Sequence, residues 1–340
     1  MWLSLPLLIK RRYWLIHRAD YQKILYDAAI ELGVHVLLGS PIEAVEESGP
    51  IVILKSGQQL TADLVVGADG IRSRITKSVL KNNDVEAVDS PNCACRATVP
   101  ADVMLSDPKV SHLMTDPNTN LWFGHERHIV AYPIRQGTIY NVFMSHPGKG
   151  SVGKWNEPGN VEEMRKYFSN WDPVIQQVLS HIEECRKWKL AYLPPLEKWV
   201  SDSGRVVLIG DAAHGMLPYM AQGAAVSIED GAALAECPDR AESVSDLGQP
   251  LSAFEMIRKP RCEAISKSAL ANADVWHLPD GPAQQGRDRK MGKIDEKEAK
   301  KDPANVDKWS GKDQQRGLFG YDTVKEVRVT ISRTNSDSKS

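Results

Sequence analysis

At 340 residues, with 42% hydrophobic and 25% charged residues, the chain has the length and composition of a globular protein of one large or two ordinary domains. A net charge of −2 and a pI near 6.5 leave no basic excess, which argues against a nucleic-acid partner. The five cysteines, Cys93, Cys95, Cys185, Cys237 and Cys262, are odd in number and lack paired zinc-ligand spacing. They read as reduced thiols of a cytoplasmic protein without a metal site.

Residues 1–9 are apolar but too short to span a membrane, with neither a preceding basic residue nor a following cleavage site. They read as the place where a gene model begins, not as a signal peptide, and no membrane association is expected. Residues 12–16 suit a strand. Apolar residues at Tyr21, Ile24, Leu25, Ala28 and Leu32 have helical spacing, with Asp20 as the N-cap and Gly33 as the stop. Strands are expected at 34–38, 43–45, 51–54 and 60–62, the last two joined by a Ser56-Gly57 turn. The apolar run 64–66 then leads into Gly67-Ala68-Asp69-Gly70. Residues 91–200 carry short strand-like runs at 94–99, 128–132 and 138–144, with helices over 161–168 and 173–184. A buried strand at 205–209 precedes helices at 224–235 and 251–271. From Pro279 onward the chain reads as polar loop, and the mixed charges of 287–302 as a solvated face.

The strand ending in Gly210-Asp211 delivers a glycine and a carboxylate to the place where open α/β sheets bind ligands. Asp211 can accept hydrogen bonds from sugar-like hydroxyls. Gly223 and Ala224 open the following helix, whose free N–H groups suit a group that gains negative charge. The ordered string Gly210-Asp211-Ala212-Ala213-His214, Leu217-Pro218-Tyr219-Met220-Ala221-Gln222-Gly223-Ala224-Ala225 and Ile228-Glu229-Asp230 resembles the second flavin motif of FAD-dependent aromatic hydroxylases, most nearly the fungal salicylate-hydroxylase-like group. Residues 63–73, with Asp69 and Arg72, resemble that family's Asp-Gly fingerprint, and Arg18 matches an arginine that reaches the flavin. Weaker likenesses extend the resemblance to about Asp322.

The resemblance implies an α/β (α+β overall) fold. It consists of a Rossmann-like FAD-binding domain over 11–90 and 201–275, an inserted, mostly antiparallel substrate domain over 91–200 and a C-terminal segment over 276–340. It implies FAD held by Arg18, Asp69, Asp211, Gly223 and Ala224, and NADH or NADPH as electron donor. Oxygen is then transferred through a flavin hydroperoxide to an aromatic ring. Arg96 and Tyr132 match positions that activate substrate in related hydroxylases. Arg96 could equally be an edge ion pair, Tyr132 an ordinary sheet residue, and Arg18 a salt bridge at the start of a helix. His214 fits a packed, hydrogen-bonded residue better than a flavin contact.

Enzymes of this type open with a strand, a Gly-x-Gly-x-x-Gly turn and a helix around the pyrophosphate. The residues before Arg18 are too few for a unit of roughly 30. The literal pattern at 148–153 is followed by helix-breaking residues and reads as a surface loop. The FAD-binding domain is therefore expected to be incomplete, with an exposed apolar face. Two readings stay open: a monooxygenase, or a catalytically inactive remnant unable to hold FAD. A flavin dehydrogenase is disfavoured by Leu217-Pro218-Tyr219 and Tyr132-Pro133.

Overall fold

The computed structural model describes residues 2–3, 13–46, 49–81, 85–148, 157–292 and 312–337, which form two compact units. The loop pattern at 148–153 lies outside the described residues except for Gly148, as do 293–302 of the charged run and all of 1–9 except Trp2 and Leu3.

The first unit comprises residues 1–36, 90–190 and 274–307. Its centre is a six-stranded sheet in the order Glu157–Pro158, Arg186–Tyr192, Val88–Pro100, Ile139–Pro147, Arg127–Ile134 and Asn120–Gly124. The three middle strands run antiparallel, so facing residues share a side. Alternation sends Cys95, Ala97, Val99, Tyr140, Val142, Met144, Ile129 and Ala131 to one side. There they meet Met104, Leu113, Met164, Phe168, Ile175 and Leu179 from the helices. Each large apolar side chain fully buried there contributes about 1.5–3 kcal/mol of transfer free energy. The opposite side presents Arg96, Thr98, Val130, Tyr132, Asn141 and Phe143.

The second unit comprises residues 37–89, 191–273 and 308–340. Val206–Leu208 pairs in parallel with Val65–Gly67, Leu208 lying opposite Gly67. Both strands are short apolar runs and run parallel, so their carboxyl ends open at the same edge. A separate antiparallel sheet joins Ile42–Glu46, Ile51–Leu54 and Gln59–Thr61.

Several expectations need correction. The helix Arg18–Glu31 is capped by His17, whose Nδ1 accepts from the Ala19 N–H at 3.3 Å; Asp20 sits in the first turn and binds Arg135 instead. No described side chain of this helix is buried, and Ile24 and Leu25 are 57% and 46% exposed. Residues 34–38 form no strand, because no described strand pairs with them. The helix from Pro173 stops at Ser180, where Arg165 donates to the carbonyls of Leu179, Ser180 and Ile182 and so satisfies the chain end.

Beyond Pro279 the described residues are largely helical, at Pro282–Gly292, Lys312–Phe319 and Thr323–Asp337. Arg287, expected on a solvated face, is buried: it donates to the Val275 and Trp276 carbonyls and lies over Phe123. All five cysteines are buried thiols outside any disulfide.

Candidate active site

In the second unit the two resemblance motifs meet at the carboxyl ends of the parallel strands. Ile209 donates its N–H to the Gly67 carbonyl at 2.9 Å, and the Thr76 hydroxyl donates to the Ala212 carbonyl at 3.1 Å. A Cβ at Gly67 would stand 2.7 Å from Leu208, and one at Gly215 would stand 2.7 Å from Ile71, so both contacts require glycine.

Gly210 turns the chain at φ +59°, ψ −145°, a conformation that favours glycine, and a Cβ there would come within 3.2 Å of Ser227 Oγ. Asp211 follows with its carboxylate exposed. Gly223 and Ala224 begin the 13-residue helix Gly223–Ala235. Its N-cap, Gln222, makes no side-chain capping bond, although it is buried at 2% exposure with an unpartnered Nε2. Free N–H groups at a helix start, an orphaned buried amide, an exposed carboxylate and a glycine whose added Cβ would meet only Met216 Cγ, at 4.0 Å, fit an anionic ring system with polyol hydroxyls. These residues fit the flavin end of FAD.

Asp69 lies at the same edge, but its carboxylate is already engaged. It accepts from Ser73 Oγ at 2.5 Å, from the Arg74 N–H at 2.7 Å and from the Ile75 N–H at 3.4 Å, and so secures the start of the helix Ile75–Leu80. Arg72 is exposed.

A buried charge cluster, which the residue-by-residue reading did not single out, locks the Gly210 turn. Asp230 is 0% exposed, and its Oδ2 accepts from the Gly210 N–H at 2.9 Å and from His214 Nε2 at 2.6 Å. Its Oδ1 accepts from Arg258 Nε at 2.8 Å. Burial disfavours the charged His214 ring, but the bond to Asp230 and the nearby Cys262 thiol outweigh it and raise its pKa to about 10. Burial likewise works against the Asp230 carboxylate, and His214 and Arg258 overcome it and hold its pKa below the ordinary 3.8. His214 is thus the packed, hydrogen-bonded residue expected from the sequence. Arg258 and Arg261 share Glu229, and Arg261 continues to the carbonyls of Gly317 and Leu318.

In the first unit, Arg96 and Tyr132 share the sheet face that turns away from the helices. Arg96 lies opposite Phe143 and Tyr132 opposite Asn141, one alternation apart. Arg96 makes no hydrogen bond or ion pair among the described residues, and its Nε is buried without a partner. Its guanidinium lies 5.7 Å from the centroid of the Trp188 ring. Burial lowers the Arg96 pKa, Tyr132 opposes that shift, and Arg18 adds to it, so the two arginines lie within electrostatic reach of each other. Burial raises the Tyr132 pKa against the pull of Arg96, which keeps the phenol protonated at neutral pH. The structure thus gathers Arg18, Arg96 and Tyr132 in one unit, and Asp69, Asp211, Gly223 and Ala224 in the other.

Residues 8–237 match the family model described as "FAD binding domain". The chain is 32% identical over 323 residues to the FAD-dependent monooxygenase OpS4 of Beauveria bassiana (strain ARSEF 2860), covering 95% of this chain and 75% of that one. It is 32% identical over 286 residues to the 3-amino-4-hydroxybenzoate 2-monooxygenase of Streptomyces cremeus, covering 82% and 66%. Among solved structures, a salicylate hydroxylase substrate complex shares the fold with a TM-score of 0.72 at 23% identity, covering 93% of this chain and 75% of that one. The chain belongs to the FAD binding domain family and is an FAD-dependent monooxygenase of the aromatic-hydroxylase type.

Proposed function

We propose that the chain hydroxylates a phenolic small molecule held against the Arg96–Tyr132 face of the sheet, with NADH or NADPH as electron donor. In this reading the sheet unit is the substrate-binding part and the unit containing Asp211 is the FAD-binding part. When bound, FAD supplies the chemistry that activates oxygen. Overall, the nicotinamide gives two electrons, one oxygen atom of O2 leaves as water and the other becomes the new ring hydroxyl. Asp211, Gly223 and Ala224 hold the flavin, and Asp69 serves it by fixing the adjoining turn.

The observation that carries the reading is the state of Arg96, a largely buried guanidinium with no carboxylate partner among the described residues. A buried charge is costly unless something compensates it. A substrate phenolate would do so, and the same attraction lowers the phenol's pKa and makes the ring a better nucleophile. Tyr132, protonated and on the same face, can donate to that oxygen. The Trp188 and Phe143 rings, with centroids 6.4 Å apart, offer an aromatic surface beside it.

The test is the pH profile of Arg96→Gln. Loss of the cation should cut kcat/KM by about 10²–10³-fold at neutral pH, the scale seen when one charge-stabilising donor is lost. It should also move the acid limb upward by roughly one to three pH units, toward the pKa of the free phenol. An unchanged limb would mean that Arg96 does not govern phenol ionisation.

A further inference from the structure

We propose that Asn141 is a substrate-contacting residue that selects phenols bearing a second hydrogen-bond acceptor on the ring. This rests on the phenol site proposed above and goes beyond it in substrate class.

Asn141 lies inside the strand Ile139–Pro147, where asparagine is disfavoured. It is 5% exposed, and its Nδ2 has no hydrogen-bond partner. Buried polar groups are nearly always paired, so an orphan of this kind calls for an explanation. Asn92, another buried amide on the same sheet face, gives the contrast: its Nδ2 donates to the Glu126 carbonyl at 2.9 Å and to Ser145 Oγ at 3.1 Å. The face can therefore satisfy an amide from within, and at Asn141 it does not.

Register places the orphan at the centre of the proposed site. Asn141 lies directly between Thr98 and Tyr132, and Phe143, two residues on, lies between Arg96 and Val130. Directly opposed side chains start about 5 Å apart and diagonal ones about 7–8 Å apart. The Tyr132 hydroxyl, the Asn141 amide and the Arg96 Nε–H thus belong to one patch the size of a substituted benzene. Arg96 and Asn141 each bring a buried donor without an acceptor. One phenolic oxygen engages the charged donor, and the uncharged amide is left for a second acceptor on the same ring, such as a carbonyl.

The experiment uses the full chain with saturating FAD and two probes of nearly equal shape, 3-hydroxyacetophenone and 3-ethylphenol, with binding followed by titration calorimetry. The wild type should bind the ketone about tenfold more tightly, equivalent to about 1.4 kcal/mol. Asn141→Leu and Asn141→Ala should bring that ratio close to one by weakening the ketone. Without ligand, Asn141→Leu should also raise Tm, because it removes an unsatisfied buried amide; a lower Tm would mark the amide as structural and overturn the inference. Arg96→Gln should weaken both probes. If it does so while the Asn141 variants keep the wild-type ratio, the Asn141 inference alone fails. If neither probe binds the wild type, or Arg96→Gln changes neither affinity, the phenol site fails and this inference fails with it.

Discussion

Asp69 shows how one carboxylate can carry a motif without being free to act as a ligand. Its oxygens are held by Ser73 and by two backbone N–H groups at the start of a helix, which is the work of a capping residue. Asp69→Ala should lower the stability of the folded chain by about 0.5–2 kcal/mol, read as a fall in the urea midpoint at constant slope. If the midpoint stayed put, Asp69 would not secure that helix. The motif was legible in the sequence, but the partners were not, because Ser73 and Arg74 reach Asp69 only once the turn at Gly70 (φ +84°) has folded the chain back. Arg96 is the opposite case. Nothing around it in sequence distinguishes a buried, unpaired guanidinium from an edge ion pair; that depends on which carboxylates the fold brings near, and no described one pairs with it.

Among the elements, those with a clear local pattern were the easiest to read. The strand at 206–208 and the helix from Gly223 were expected within one or two residues of their observed ends. The run at 34–38 had the pattern of a strand but found no described neighbour. The stretch beyond Pro279 misled for another reason: Pro282–Gly292 and Thr323–Asp337 are polar helices, and burial of a few anchors such as Arg287, Val327 and Ile331 is enough to seat them.

The helix Gly223–Ala235 also carries Asp230, which ties it to His214 and Gly210. His214 has a pKa raised from 6.5 to about 10, so its pair with Asp230 stabilises the fold fully below about pH 6.5, and this contribution is lost as the pH rises through about 10. The depressed pKa of Asp230 means that its share is present above 3.8 and is lost on acidification below that value. Urea denaturation of the wild type and His214→Gln between pH 6.5 and 10 should therefore show stability curves that converge as pH rises. Parallel curves would mean that His214 is not charged in the fold.

On the scale of the whole molecule, the family and the α+β layout were legible because the motif spanning Gly210 to Asp230 is long, ordered and local. One unit presents a sheet face with buried donors that lack partners among the described residues, and the other a strand edge followed by a helix start without a side-chain cap. The relatives reported above are named as monooxygenases, which favours that reading over the inactive-remnant one. No described helix is long and apolar enough to cross a membrane.

The most direct measurement is the fate of oxygen. The purified chain, given FAD, NADH or NADPH and a panel of phenols, should under ¹⁸O2 place a single labelled atom in the hydroxylated ring, with product formed in step with nicotinamide oxidation. Arg96→Gln should sharply reduce that incorporation while flavin stays bound. Nicotinamide oxidation that yields only hydrogen peroxide, label drawn from water, or a chain that holds no flavin would each contradict the account.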